Sequence, residues 1–203
     1  SFRIYENGQW SYKLIWYNKF FYGVGNNFFV SSLWNSLSIG FGSAVFSSIC
    51  GLGLVSIIMK KKGVTRKIFE SIAILPISLS TVVFGVAWFH FYQKYFLDLI
   101  PLYYVVIVMH SILVCPYWVR ICLPTIESIP PQWEMESKIL GKNPLEYSCL
   151  ILWPWFKKTF CVAFFFSFSL SLGELNSILM IGDASVRTMP LEIFSAISDV
   201  PAF

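Results

Sequence analysis

Charge is scarce in this sequence. Only 13% of its 203 residues are Asp, Glu, Lys or Arg, whereas 56% are hydrophobic and 20 are Phe. A water-soluble domain carries about a quarter of its residues as charges, so the composition points away from one. Metal-ligating residues are equally thin. There are two histidines, and the five cysteines form no CxxC pair. Cys115 and Cys122 lack the short spacing of a strong metal signal, and Cys50, Cys115 and Cys161 lie in apolar runs, where a thiol acts as a small hydrophobe. No metal and no cofactor are predicted. A GxxxxGK[ST] phosphate loop is missing too, so the chain is not expected to hydrolyse ATP itself. The opening "SFRIYENGQWSYKLIWYNKF" scatters Arg3, Glu6 and Lys13 among aromatic residues. It lacks the charged region, apolar core and cleavage site of a signal peptide, and residues 1–27 read as an extracytoplasmic, interfacial lead-in with rings at headgroup depth.

What the sequence does have is long uncharged runs. A helix crossing about 30 Å of hydrocarbon needs about 20 apolar residues. The run from Phe20 to Met59 carries no formal charge, and its best span begins near Phe29. Within it Ser32, Ser36, Gly40, Ala44 and Ser48 recur every fourth position. Such a face of small side chains lets another helix approach closely where no hydrophobic force separates protein from lipid. A second span is predicted between Glu70 and Lys94, a third between Asp98 and Arg120 bounded by Pro101 and Pro116, and a fourth from Trp155 to Gly173. Another helix starts after Met189-Pro190. The prediction is an all-α polytopic membrane protein with four complete spans and an opened fifth, residues 28–203 forming the transmembrane domain.

Lysine and arginine placement sets the sides. The loop after the first span reads "KKKGVTRK", and the loop after the third holds Arg120, Lys138, Lys142, Lys157 and Lys158. The second connection has Lys94 alone, and Arg187 stands alone after the fourth span against Glu174, Asp183, Glu192 and Asp199. Loops one and three are therefore predicted cytoplasmic, which puts residues 1–27 outside and predicts at least one further helix upstream. The basic run "KKKGVTRK" is read as attraction to anionic headgroups; nucleic acid is not an expected partner.

The third loop, about 127–154, is unusually well punctuated. After Pro130-Pro131 the residues "QWEMESKIL" predict a short helix, with Gly141 as its left-handed stop. Asn143, Pro144 and Glu146 follow as N-cap, first helical residue and third. Two short helices would thus form a compact knob. It is either a docking element, since a preordered surface loses less entropy on binding, or a connector anchored on headgroups by Trp133, Trp153 and Trp155.

The stretch "MESKILGKNPLEYSCLILWP" resembles the cytoplasmic EAA loop of permease subunits in binding-protein-dependent ABC importers. The family pattern is Glu-Ala-Ala, three residues, Gly, nine residues, Ile, one residue, Leu-Pro. Gly141, Ile151 and Pro154 are in register, and Leu140 and Lys138 match common choices. Met135 stands where the motif has Glu, Glu136 and Ser137 replace the two alanines, and Trp153 replaces Leu. "NSLSIGFGSAVFSSICGLGLVSIIM", "ILPISLSTVVFGVAW" and "SLGELNSILMIGDASVRTMPLEIFSAI" extend the resemblance over most of residues 35–198, closest to the second half of fused iron(III) or thiamine permeases. The resemblance implies a MetI-like permease core in a bacterial inner membrane. It also implies ATP-binding cassette subunits, an extracytoplasmic solute-binding protein and a homologous permease half as partners. A coupling role falls to Glu134, Glu136, Ser137, Leu140, Gly141, Asn143, Pro144, Ile151 and Pro154, with Glu134 or Glu136 standing in for the motif's glutamate.

Four further residues are candidates for the solute route or its outer gate. His110 lies near mid-membrane, where an ionisable side chain is a functional candidate; it is expected to contact solute, pair across helices or bond a neighbouring backbone carbonyl. Asn35 is expected to make a cross-helix hydrogen bond. Glu174 and Asn176, in "SLGELNS", mark the outer mouth or are ordinary interfacial residues. His90, four residues before Lys94, reads as hydrated at the interface. A secondary transporter and a non-transporting scaffold remain the alternatives. The first would use buried charges, of which these spans have almost none.

Overall fold

A computed structural model of the chain describes residues 3–6, 9–12, 26–96, 99–181 and 186–198. The predicted lead-in departs from the all-α expectation. Its strands β1 (Arg3–Glu6) and β2 (Gln9–Tyr12) pair antiparallel with Arg3 opposite Tyr12. The rest of the described chain is helical. Helix α1 (Asn26–Met59) is followed by α2 (Gly63–Ile74), a 3-10 turn (Leu75–Ser78) and α3 (Thr81–Tyr95). Then come α4 (Leu102–Glu127), the short α5 (Pro131–Ile139) and α6 (Pro144–Tyr147), a wide π-type turn (Ser148–Leu152) and α7 (Trp153–Gly173). Helices α8 (Asn176–Ile181) and α9 (Met189–Ser198) end the described chain.

Helices α1, α4 and α7 pack together as the centre of the bundle, and the predicted small-residue face is what α1 buries. Ser32, Ser36, Ala44 and Ser48 are all buried, joined by Ser43 and Ser47 one turn apart. The approach is closest at Gly51, where an added Cβ would stand 2.3 Å from Cβ of Trp118. Trp118 is fully buried and donates its indole N–H to Ser47 Oγ at 3.2 Å. At 34 residues α1 is about 51 Å long, more than the roughly 30 Å thickness of the hydrocarbon.

The second span is not one straight helix. Three helices, Val30–Met59, Leu102–Glu127 and Ser148–Gly173, are long and apolar enough to cross a membrane, and a fourth crossing exists only if Gly63–Ser78 and Thr81–Tyr95 are taken together. Those two segments meet at 95°. Pro76 opens the 3-10 turn, and Leu79 and Ser80 are extended, which ends one helix and starts another. Pro116 fails as a boundary in the opposite way: α4 runs through both Pro116 and Pro124 to Glu127. Inside a packed membrane bundle the neighbouring helices offset the lost backbone bond. The predicted helix after Met189 is present, and Asp183 and Asp199 lie outside the described residues.

Two apolar clusters occupy the ends of the bundle. One gathers Ile39, Val106, Met109, Ile178 and Ile181, and the other Val55, Ile58, Trp118, Cys122 and Ala163. At the second end Arg66 of α2 pairs with Glu127, the last residue of α4, and with Glu70 at 2.7 Å. The two basic loops thus lie at the same end of the bundle.

Because Gly51 admits no side chain, Gly51→Ala should destabilise the detergent-solubilised protein by about 1–3 kcal/mol, the usual cost of overpacking. Gly53→Ala, with nothing within 4 Å of its added Cβ, should be near neutral. Equal melting temperatures for the two variants would show that α1 and α4 are not in such close contact.

Candidate functional site

The punctuated loop folds as the residues require. Leu140 N–H donates to the Glu136 carbonyl at 3.0 Å, and Lys142 N–H reaches back to the Ser137 carbonyl at 2.9 Å. Between them Gly141 has φ +69°, which an L side chain adopts only with strain. This is a Schellman-type stop. Asn143 then accepts the Tyr147 N–H at 3.0 Å on its carbonyl and opens α6, while Lys142 and Glu146 pair at 3.6 Å on the surface. The π-type turn leads directly into α7, with Pro154 in the first turn of that helix, so the fourth span begins earlier than the predicted Trp155.

A clasp holds α5 against the base of α7. The Trp133 and Trp155 rings meet edge to face, centroids 5.4 Å apart. Beneath them a groove of about 480 Å³ is lined by Glu136, Ser137, Leu140, Leu150, Ile151 and Pro154 as well as the two indoles. Ser137 is buried, whereas Met135, Ile139 and Leu140 are 65%, 82% and 74% exposed. Met135 and Ile139 lie one turn apart, so α5 presents an uncovered apolar face. Glu136 and Asn143 are exposed; the side chains of Glu134, Lys138 and Pro144 lie outside the described set.

The intramembrane candidates split into two groups. Asn35 donates its side-chain N–H to the Arg187 carbonyl at 3.1 Å, and one residue on Ser36 Oγ accepts the Met189 N–H at 2.8 Å. The Asn35 bond thus runs not to another helix, as expected, but to the segment entering α9, which it ties to α1. His110, 1% exposed, is the other focus. Its Nδ1 lies 2.8 Å from Ser171 Oγ on α7 and its Nε2 3.5 Å from Ser177 Oγ on α8. Ser43 of α1 donates to Ser171 Oγ at 2.7 Å. The imidazole thus joins three other elements through hydroxyls and is not held by a neighbouring carbonyl. Glu174 accepts the Ser177 N–H on Oε1 at 3.2 Å, and Asn176 donates to Thr81 Oγ1 at 3.4 Å. His90 is exposed on α3.

Ser43, Ser171, Ser177 and Thr81 were not singled out from the sequence. Their signal was weak but physical: a buried imidazole needs partners, and "SFSLSLG" offers hydroxyls at Ser167 and Ser171, one turn apart. The shared hydrogen bond predicts energetic coupling. In a double-mutant cycle His110→Ala and Ser171→Ala should be non-additive by about 0.6 kcal/mol, up to ~1.7, as for polar pairs in other membrane proteins. Strict additivity in reversible unfolding would show that the two side chains do not interact.

No family model matches the chain. It is 26% identical over 160 residues to the thiamine transport system permease protein ThiP of Brucella abortus (strain 2308), which covers 76% of this chain and 29% of ThiP. It is 28% identical over 186 residues to PhnV of Salmonella typhimurium (strain LT2), named as a candidate 2-aminoethylphosphonate transport system permease protein, covering 85% of this chain and 68% of PhnV. The chain thus spans less than a third of the length of the ThiP relatives it matches. Both relatives are named as transport system permease proteins, and this chain has three helices, or four if the bent pair is one span, that are long and apolar enough to cross a membrane.

Proposed function

We propose that the chain is the permease component of an ATP-driven importer in a bacterial inner membrane. Its third loop is the coupling element and faces the cytoplasm. ATP is bound and hydrolysed by separate cassette subunits, solute arrives on an extracytoplasmic binding protein, and a homologous permease half completes the route. The observation that carries the reading is the stopped helix α5, whose Met135, Ile139 and Leu140 stand uncovered at the end of the bundle, in a chain similar in sequence to transport permeases.

The mechanics follow from stiffness. Helix α5 ends at Gly141, α6 restarts at once, and the π-type turn feeds α7 without an intervening loop. A push on α5 is passed through the Trp133–Trp155 clasp and Pro154 to the base of α7, and through Glu127 and Arg120 to α4. Such a push, applied when cassette subunits close on ATP, swings the route between inward- and outward-facing. Leu140, Gly141 and Ile151 carry this role, with Glu136 and Ser137 facing the groove and Asn143 and Pro144 restarting the helix. Glu136, exposed and charged where the motif has alanine, calls for a basic group in the partner, and Glu134 is the other stand-in for the motif's glutamate.

Iron(III) and a thiamine-like compound are the solutes the resemblance implies. The relatives favour the second, because thiamine and 2-aminoethylphosphonate are both organic molecules with a positively charged nitrogen at neutral pH. On this reading Asn35, His110, Glu174 and Asn176 line the solute route or its outer gate.

Leu140→Cys, in a background without native cysteines, should crosslink to a co-expressed ATP-binding subunit, with a yield that changes on adding ATP. Gly141→Trp should assemble but lose solute-stimulated ATP hydrolysis. Failure to crosslink under either nucleotide condition would favour a scaffold or a secondary transporter. Normal stimulation in the Gly141 variant would remove the lever role.

A further inference from the structure

The broken span leaves a cavity of about 100 Å³ between its bend, the middle of α4 and the C-terminal end of α7. Pro76, Ile77 and Leu79 of the bend form one wall. The polar lining consists of Thr81, His110, Tyr117, Ser171 and Glu174. In volume it is about two-thirds of the ~150 Å³ cavity that accepts benzene. A methylated or primary ammonium head with a carbon or two fits, and a whole cofactor does not.

The charge pattern is one-sided. Glu174 is the one carboxylate in the lining, and no lysine or arginine among the described residues lines the cavity. Its Oε1 takes a single N–H, from Ser177, whereas a carboxylate offers about four acceptor sites on two oxygens. Glu174 is half-buried just past the end of α7, with acceptor sites left for a cation that enters the cavity. Around it stand groups suited to an ammonium: the hydroxyls of Thr81 and Ser171 as acceptors, and the Tyr117 ring as a cation–π surface. His110 and Ser171 are both almost wholly buried and held by the hydrogen-bond chain from Ser43 to Ser177, so this wall is preorganised.

We propose that the cavity beside His110 is a seat for a small organic cation, with Glu174 as its counter-ion and Thr81, Tyr117 and Ser171 as its first contacts. This rests on the importer reading for its purpose: the occupant is the positively charged nitrogen of the transported solute. The site lies on the bend between α2 and α3, so any change in the 95° angle reshapes it. Binding and release are then linked to the same motion that opens the route.

The test reads the charge preference of the cavity directly. Thr81→Cys is introduced into the full transporter in membrane vesicles, with the five native cysteines replaced, and labelled with 2-aminoethyl or 2-sulfonatoethyl methanethiosulfonate. Rates are normalised to Leu99→Cys, which is 75% exposed outside the cavity. The cationic reagent should be preferred by about tenfold or more, the effect of one nearby carboxylate at low effective dielectric. Glu174→Gln should remove most of that preference, Glu174→Asp should keep it, and excess methylammonium should slow cationic labelling only where the carboxylate remains. No preference in the parent, or one unchanged by Glu174→Gln, overturns the proposal. If selectivity is absent while Leu140→Cys still crosslinks in an ATP-dependent way, this site fails and the importer reading stands. Selectivity without that crosslink keeps the cation seat and removes its assignment to ATP-driven import.

Discussion

The close approach of α1 to α4 and α7 is the constraint on which the rest of this structure depends. In lipid no hydrophobic force draws apolar helices together, so contact depends on packing and on polar groups that find partners across the interface. The small face of α1 meets both needs. Gly51 gives Trp118 its place, Ser47 takes the Trp118 N–H, and Ser43 reaches the hydroxyl of Ser171. Large side chains on that face would move α4 and α7 away, and the imidazole of His110 would lose the serines that hold it. The buried polar chain is therefore a consequence of the same small residues that allow the helices to touch.

The two ends of the bundle use this common core differently. One end is tied by backbone and side-chain bonds from Asn35 and Ser36 to the segment entering α9. The other carries an ion-pair cluster, in which Arg66 joins Glu70 to Glu127 where α4 passes into the third loop. Arg66 and Glu127 are only partly exposed, at 31% and 39% of their side-chain surfaces, so solvent screens them less than a free surface pair. Helix α2 and the start of the loop are consequently held as neighbours. On the importer reading, a force on α5 reaches α2 as well as α7.

Much of this was legible in the sequence, and the reason differs by element. The every-fourth spacing from Ser32 to Ser48 identifies a packing face because a helix repeats nearly every four residues. Gly141 and the Asn143-Pro144 pair identify helix ends because few other residues satisfy those backbone conformations. The bend at Leu79–Ser80 was hidden, since hydropathy averages over a window and does not register a change of direction. Proline was an ambiguous sign: Pro76 sits at a true break, while Pro116 lies inside a continuous helix whose packed neighbours tolerate it. His110 was visible as an ionisable group in a span, but its partners come from α7 and α8, 61 and 67 residues away. Nothing local encodes such a meeting.

The hidden bend is also what leaves a cavity in the bundle. A continuous second span would pack along α4 and fill the space beside His110 with its own side chains. Breaking it at Pro76–Ser80 turns α2 toward the end held by Arg66 and sends α3 toward α8, leaving a small cavity between the bend and the polar wall of α4 and α7. The same residues that interrupt the helix therefore line the cavity. The wall fixed by Ser43, His110, Ser171 and Ser177 faces a wall made of a short 3-10 turn, whose hydrogen-bond geometry is poorer than that of an α-helix. The packing of α1, α4 and α7 that holds the protein together is thus also what fixes one side of the cavity.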